Sequence, residues 1–205
     1  MRPFVGSVST AKCELYPVPR ETEPKVSARY TPSSKMHLVN YWTRTKRFFK
    51  EAVPTVEQQR LIALILIFCQ GGITVSGSIV RVTGSGLGCP TWPQCQPGSL
   101  VPVEGAAPAI HQIIEFGNRL LTFVDSAAAG AAVIAMYMAC RRPELRVYAW
   151  LNVAGIVLQA VIGGISVHLD LRWWSVALHF LPSMVLVWLA CMLYARIKEP
   201  DDGTA

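Results

Sequence analysis

The sequence predicts an all-α fold: a polytopic membrane protein whose four transmembrane helices form a bundle built from two related hairpins. Three observations carry that expectation. Hydrophobic residues fill 52% of the 205 positions and charged residues only 16%, more apolar material than a soluble domain of this length needs. Four apolar runs are each about twenty residues or longer, enough at about 1.5 Å per residue to cross the hydrocarbon layer. Backbone groups find no water there, so helices follow rather than strands. Charge is the third observation. The net +6 would point to nucleic acid were it spread out, but roughly half of the Lys and Arg precede Leu61, in a Pro-rich stretch ahead of the first run. A cytoplasmic flank accounts for it, and no nucleic-acid partner is expected.

In chain order, residues 1–55 show no sustained period and mix Pro, Ser and Thr with both charge signs, which predicts a disordered cytoplasmic tail. A start at Met36, ahead of "HLVNYWTRTKRFFK", is an alternative beginning; Glu14, Glu21 and Glu23 argue against a mitochondrial transit peptide, which avoids acids. The membrane domain is expected over 56–198. Its first span, 61–80, is uncharged and bounded by Arg60 and Arg81. The second, 109–140, exceeds the bilayer, so its first turns stand in the headgroups or beyond. The third and fourth are 147–167 and 174–195, and 199–205 forms a short tail. The loop 82–108 carries one acid and no Lys or Arg, whereas 141–146, "RRPELR", is short and basic. The positive-inside bias therefore puts both termini and 141–146 in the cytoplasm and the longer loop outside.

"GGITV" in the first span recurs as "GGISV" in the third. The plain reading is close helix packing at paired glycines. The repeat also implies two related hairpins, with spans two and four in equivalent places.

Chemistry-bearing residues gather on span two. With His111 as angular origin, Glu115 falls near about +40°, Asn118 about −20°, Thr122 about +20° and Asp125 about −40°, on one face extending about 21 Å. An ionisable group facing lipid costs about 2.5–3.5 kcal/mol at the centre, so Asp125 and Glu115 are expected to face the bundle interior. A structural polar seam is the bland alternative. Arg119, four residues after Glu115, is placed to pair with it or to offer its guanidinium to a ligand carboxylate. Span four opens "WWSVALHFLPSMV", where His179 shares a face with Ser175 and Ser183, and Pro182 is expected to bend the helix nearby. His179 is a candidate metal ligand, with a simple hydrogen bond to a neighbour as the alternative. Asn152 and Gln159 on span three read as helix glue. In the loop, "GSGLGCPTWPQC" sets Cys89 six positions from Cys95 among prolines. A disulfide outside the membrane is the first expectation and a redox-active thiol pair the sharper one. A zinc site lacks further ligands nearby, and Trp92 is expected at headgroup level.

Taken together, "GGITVSGSIVRVTGSGLGCPTWPQC", "IHQIIEFGNRLLTF" and "VIGGISVHLDLRWWSVALHF" resemble the amino-terminal half of heme A synthases, most nearly the actinobacterial kind. The similarity runs over about 59–200 and ends in "RIKEPDD". The resemblance implies oxidation of a heme O methyl group to a formyl by successive hydroxylations, giving heme A for cytochrome oxidase, with a bound heme b relaying electrons. It places Glu115 on the family's catalytic carboxylate, His179 on an axial heme-iron ligand, and Cys89 and Cys95 on an outer-loop disulfide. It further implies a multi-pass protein of the bacterial cell membrane, in contact with membrane lipid and supplied by heme O synthase. Arg119, Asn118 and His111 are expected beside the heme, Arg119 on a propionate.

Two departures qualify the carry-over. The family motif has histidine where this chain has Asn118, and an amide nitrogen without a free lone pair is a poor iron ligand. His111 lies about 10 Å higher on the same helix, an imperfect substitute. The family also has eight spans, so a second half-chain or a homo-oligomer is the expected partner. One axial histidine with an open opposite side suits a site that exchanges a substrate heme. The alternatives are a non-catalytic heme-binding electron-transfer module and a truncated inactive fragment. A transporter reading would rest on Asp125 and Glu115 alone and lacks a broken helix.

Overall fold

The computed structural model describes residues 53–201, and Pro54–Glu199 forms one compact unit. The tail expected at 1–55, with the alternative start at Met36, lies outside the described residues up to position 52, as do residues 202–205. Four helices follow: α1 (Val56–Val82), α2 (Ala109–Met138), α3 (Pro143–His168) and α4 (Trp173–Arg196), with a short 3-10 turn at Ser85–Leu87. All four are long and apolar enough to cross a membrane, and no strand occurs among the described residues. The protein is an all-α, multi-pass membrane protein.

Local chemistry sets where the helices begin, and α1 and α3 begin four or five residues earlier than their apolar runs. At α1 the Thr55 hydroxyl accepts from the Gln58 amide at 3.3 Å while the Gln58 side chain accepts from the Thr55 amide at 2.8 Å. That reciprocal box satisfies two orphan donors, so the helix starts five residues before Leu61. α3 starts at Pro143, whose fixed φ suits the first helical position, and so absorbs most of the basic stretch expected to be a loop. Only 139–142 link α2 to α3.

α1 packs against α2 and α4, and α3 packs against the same two, a closed ring of four in which α2 and α4 occupy opposite corners. The consecutive hairpins α1–α2 and α3–α4 therefore lie side by side in the ring. We call the end carrying 83–108 the loop end and the end carrying the α2–α3 turn the basic end.

The apolar core is confined to the basic half. Leu66, Met136, Leu145, Leu193 and Ile197 are its large, fully buried members. Besides Met136, α2 contributes the small residues Ala128, Ala129, Ala132 and Ala135, which let neighbouring backbones approach closely where lipid removes the usual hydrophobic drive. Arginines close this end: Arg60 donates to the Tyr194 hydroxyl at 2.6 Å, Arg196 pairs with Glu144, Arg142 with Glu199, and Arg141 donates to the Ile197 carbonyl. Toward the loop end the interior holds no large aliphatic of this core and buries the polar groups Gln70, Glu115, Asp125, Ser166 and Ser175, while the basic half buries Gln59, Arg141 and Asn152 among its apolar side chains.

The alanine stripe generates a prediction. Ala132→Leu overpacks the α2 contact and should destabilise the bundle by about 1–3 kcal/mol. Ile134→Ala, at an exposed lipid-facing position, should change stability little. Unfolding midpoints in mixed detergent micelles check both.

Candidate functional site

The loop is held from one side by α2. Gly84 turns it with φ +66°, a conformation free of penalty for glycine. At Gly88 the chain passes so near α2 that an added Cβ would stand 2.5 Å from the His111 carbonyl group and 2.7 Å from the Gln112 nitrogen. This approach delivers the Cys89 N–H to Glu115 Oε2 at 2.7 Å. Glu115 Oε1 accepts from Arg119 at 2.6 Å, one helical turn away. The same guanidinium donates to the Cys89 carbonyl at 2.7 Å and to those of Thr91 and Gln94 at 2.9 Å. Burying a carboxylate is costly unless it is paired and hydrogen-bonded, and here it is both.

Two glutamines complete the anchorage. Gln112 bonds the Val103 amide, the Val103 carbonyl and the Ala107 carbonyl at 2.9–3.0 Å, and Gln96 donates to the Gly88 carbonyl at 2.9 Å. Cys89 and Cys95 form a disulfide and are wholly buried. Of the alternatives the sequence leaves open for this pair, the structure shows the bridged form.

From the other side the loop reaches α3. Trp92 rests on Gly164, where an added Cβ would fall 2.6 Å from its ring. On the adjacent Gly163 lies the His179 imidazole, with Cε1 3.1 Å from the position a Cβ would take. Trp92 and His179 therefore converge on one turn of α3. His179 Nδ1 is buried and has no hydrogen-bond partner. Its backbone carbonyl accepts from Gln159 at 2.9 Å, and Gln159 also donates to the Ser183 hydroxyl at 2.6 Å, so the α3–α4 contact fixes the depth of the imidazole.

Deeper in the bundle, Asp125 Oδ1 and Gln70 Nε2 are likewise buried without partners, as is Gln159 Oε1. Such groups are costly to bury and mark where a ligand or water belongs. Asn118 is engaged by α1: its Oδ1 accepts from the Ser76 hydroxyl, beside Gly77.

Glu115, Arg119, Cys89 and Cys95 thus come together in one cluster, and His179 stands in a second under Trp92. His111 touches the loop through its backbone. Arg119 spends its terminal nitrogens on Glu115 and three carbonyls, a partner set different from the propionate that the resemblance implies. Among the described residues no three His, Cys, Asp or Glu side chains gather as a metal cage. Sequence reading missed Gln96 and Gln112, whose only signal is an amide in an otherwise apolar or loop context. Close packing is expected at both glycine pairs and occurs at one: Gly163 and Gly164 are covered, whereas an added Cβ at Gly71 or Gly72 would meet nothing within 4 Å.

The latch predicts a measurable opening. Arg119→Ala removes several charge-assisted bonds at once, each worth about 1.5–3 kcal/mol, so transient release of the loop should rise at least about tenfold. Maleimide labelling of Cys89 and Cys95 after reduction should accelerate by that factor, while Arg81→Ala leaves it unchanged.

The comparisons with known proteins agree with this anatomy. The COX15-CtaA family model, cytochrome oxidase assembly protein, matches residues 60–205. The heme A synthase of Geobacillus kaustophilus is 31% identical over 108 residues, 52% of this chain and 32% of that protein. The heme A synthase of an Exiguobacterium species is 30% identical over 133 residues, 62% of this chain and 43% of that protein. That of Listeria welshimeri is 31% identical over 146 residues, 68% and 47% respectively. The chain therefore spans less than half the length of these curated relatives. No solved structure matches it. Family match, four membrane helices and a disulfide-closed loop lead to one conclusion: this chain belongs to the heme A synthase family of cytochrome oxidase assembly proteins.

Proposed function

We propose that this chain forms a heme-handling four-helix unit of a heme A synthase, which oxidises a methyl group of heme O to a formyl group to give heme A. The observation that carries the reading is His179, an imidazole with a buried, unpartnered Nδ1 in the polar half of a bundle whose apolar core fills only the other half. An imidazole with an unsatisfied ring nitrogen fits a heme, and His179 would be the residue that holds its iron. Bound there, heme b supplies electron transfer to or from the substrate. In this reading Glu115 is the acid/base or cation-stabilising carboxylate, oriented by the Cys89 amide and by Arg119. Arg119 is the positioning residue that fixes both carboxylate and loop. Asn118 would neighbour the heme as a hydrogen-bonding amide and His111 would lie farther toward the loop, which the Cys89–Cys95 bridge staples.

The relatives are more than twice as long as the matched segment, so we assign the activity to an assembly that includes a second four-helix unit. That unit is supplied by a second copy or by further polypeptide, with heme O delivered by heme O synthase. The assembly sits in a bacterial cell membrane with the basic end cytoplasmic, as the arginines at that end favour.

Co-expression with a heme O source tests the reading. Extracted pigment should contain formyl-bearing heme, absent with His179→Ala and reduced by at least about tenfold with Glu115→Gln. Heme retained without any formyl product would instead favour the electron-transfer module. A second measurement reads the ligand directly. Wild-type chain should give a five-coordinate, high-spin spectrum, and Asn118→His should shift it toward six-coordinate, low-spin absorption. An unaltered spectrum in that variant would remove Asn118 from the heme's surroundings.

A further inference from the structure

A groove of about 450 Å³ opens on the outer surface of α2 and α3 at the basic end. It is lined by Tyr137 from α2 and by Arg146, Val147, Trp150, Leu151 and Ala154 from α3. Nothing in the heme chemistry uses it. Arg146 stands at its mouth in the first turn of α3, with its guanidinium 5.0 Å from the centre of the Tyr137 ring. Its Nε is buried and makes no hydrogen bond. It pairs with no carboxylate among the described residues: Glu144 is about 200° round the helix and is taken up by Arg142 and Arg196. Among the described residues the other arginines of this end, Arg60, Arg141, Arg142 and Arg196, each have an acidic, carbonyl or hydroxyl partner, so Arg146 is the arginine whose charge is unmatched.

The remaining lining defines what would match it. Val147, Leu151 and Ala154 follow one another at helical spacing and carry the groove about 12 Å from Arg146 toward the membrane centre. That is an apolar track of acyl-chain kind. Trp150 Nε1 donates to the Tyr137 hydroxyl at 3.2 Å, which leaves the Tyr137 O–H proton for an acceptor outside the pair. Trp and Tyr at a helix end are the side chains of the membrane–water interface. The groove therefore offers a cation, a phenolic donor and a helix N-terminus at headgroup depth, with an apolar channel below.

We propose that this groove is a binding site for an anionic glycerophospholipid, its phosphodiester on Arg146 and Tyr137 and one acyl chain along Val147, Leu151 and Ala154. A protein partner seated here would bury an unpaired guanidinium, which costs several kcal/mol unless the partner supplies a carboxylate. The lipid brings its own compensating charge. The site is independent of any heme bound at the other end.

Native mass spectrometry of the full chain released from micelles, titrated with phosphatidylglycerol, tests it. One phosphatidylglycerol per chain should be retained, and phosphatidylcholine of identical chains should bind about fivefold or more weakly. Free inorganic phosphate should not compete at millimolar concentration, because the acyl track contributes. Arg146→Gln should weaken phosphatidylglycerol binding about fivefold, Arg146→Lys should retain it within about twofold, and the loop-end control Arg81→Gln should leave it unaltered. Equal retention of both lipids, undiminished binding by Arg146→Gln, or full displacement by phosphate overturns the proposal. So does an Arg146→Gln variant that changes only the oligomeric state.

Discussion

The outer architecture of this protein hangs on one ion pair. Glu115 and Arg119 sit one helical turn apart on α2, and each holds the other while both hold the loop. A carboxylate at 5% exposure and a guanidinium facing backbone carbonyls are poor tenants of a membrane boundary singly. Jointly they convert the charges and the unpaired carbonyls of an irregular loop into a closed set. The loop has no secondary structure of its own beyond one 3-10 turn and an isolated bridge, so side chains from α2 do the work that a strand ladder does elsewhere. Remove the pair and Gly88 still fits against α2, but nothing aims the Cys89 amide.

That anchorage sets the division of the bundle into two halves. Alanines and large aliphatics pack the basic half tightly, and arginines tie its ends to hydroxyls, carbonyls and carboxylates. Nearer the loop, His179 Nδ1, Asp125 Oδ1, Gln70 Nε2 and Gln159 Oε1 are buried without partners. The loop is held by the same helix that presents Glu115.

Much of this was legible in the chain. The four spans follow from apolar runs whose length no soluble helix requires, and the polar stripe on α2 follows from its spacing: Glu115 and Asp125 are both buried, as the expense of exposing them to lipid demands. The Glu115–Arg119 pair is readable as a four-residue offset. The remainder of Arg119's partners was not, since three carbonyls of a loop twenty-five or more residues away leave no periodic trace. The sequence also treats "GGITV" and "GGISV" alike, whereas only the second is covered by aromatic rings. Which copy is packed depends on the path of the loop and on the depth of His179, both tertiary matters. Asn118 illustrates the same limit. Its place on the α2 face is local, but its bond to Ser76 is settled by how α1 lies alongside.

The seat of Trp92 on Gly164 has a consequence for how this protein can change over generations. With a ring atom 2.6 Å from where a methyl group would stand, position 164 admits no side chain while the indole stays, and a smaller residue at 92 would leave a bare gap. Neither site can drift alone. Lineages that alter one should carry a matching replacement at the other, so the two positions, far apart along the polypeptide, are expected to be inherited as a unit.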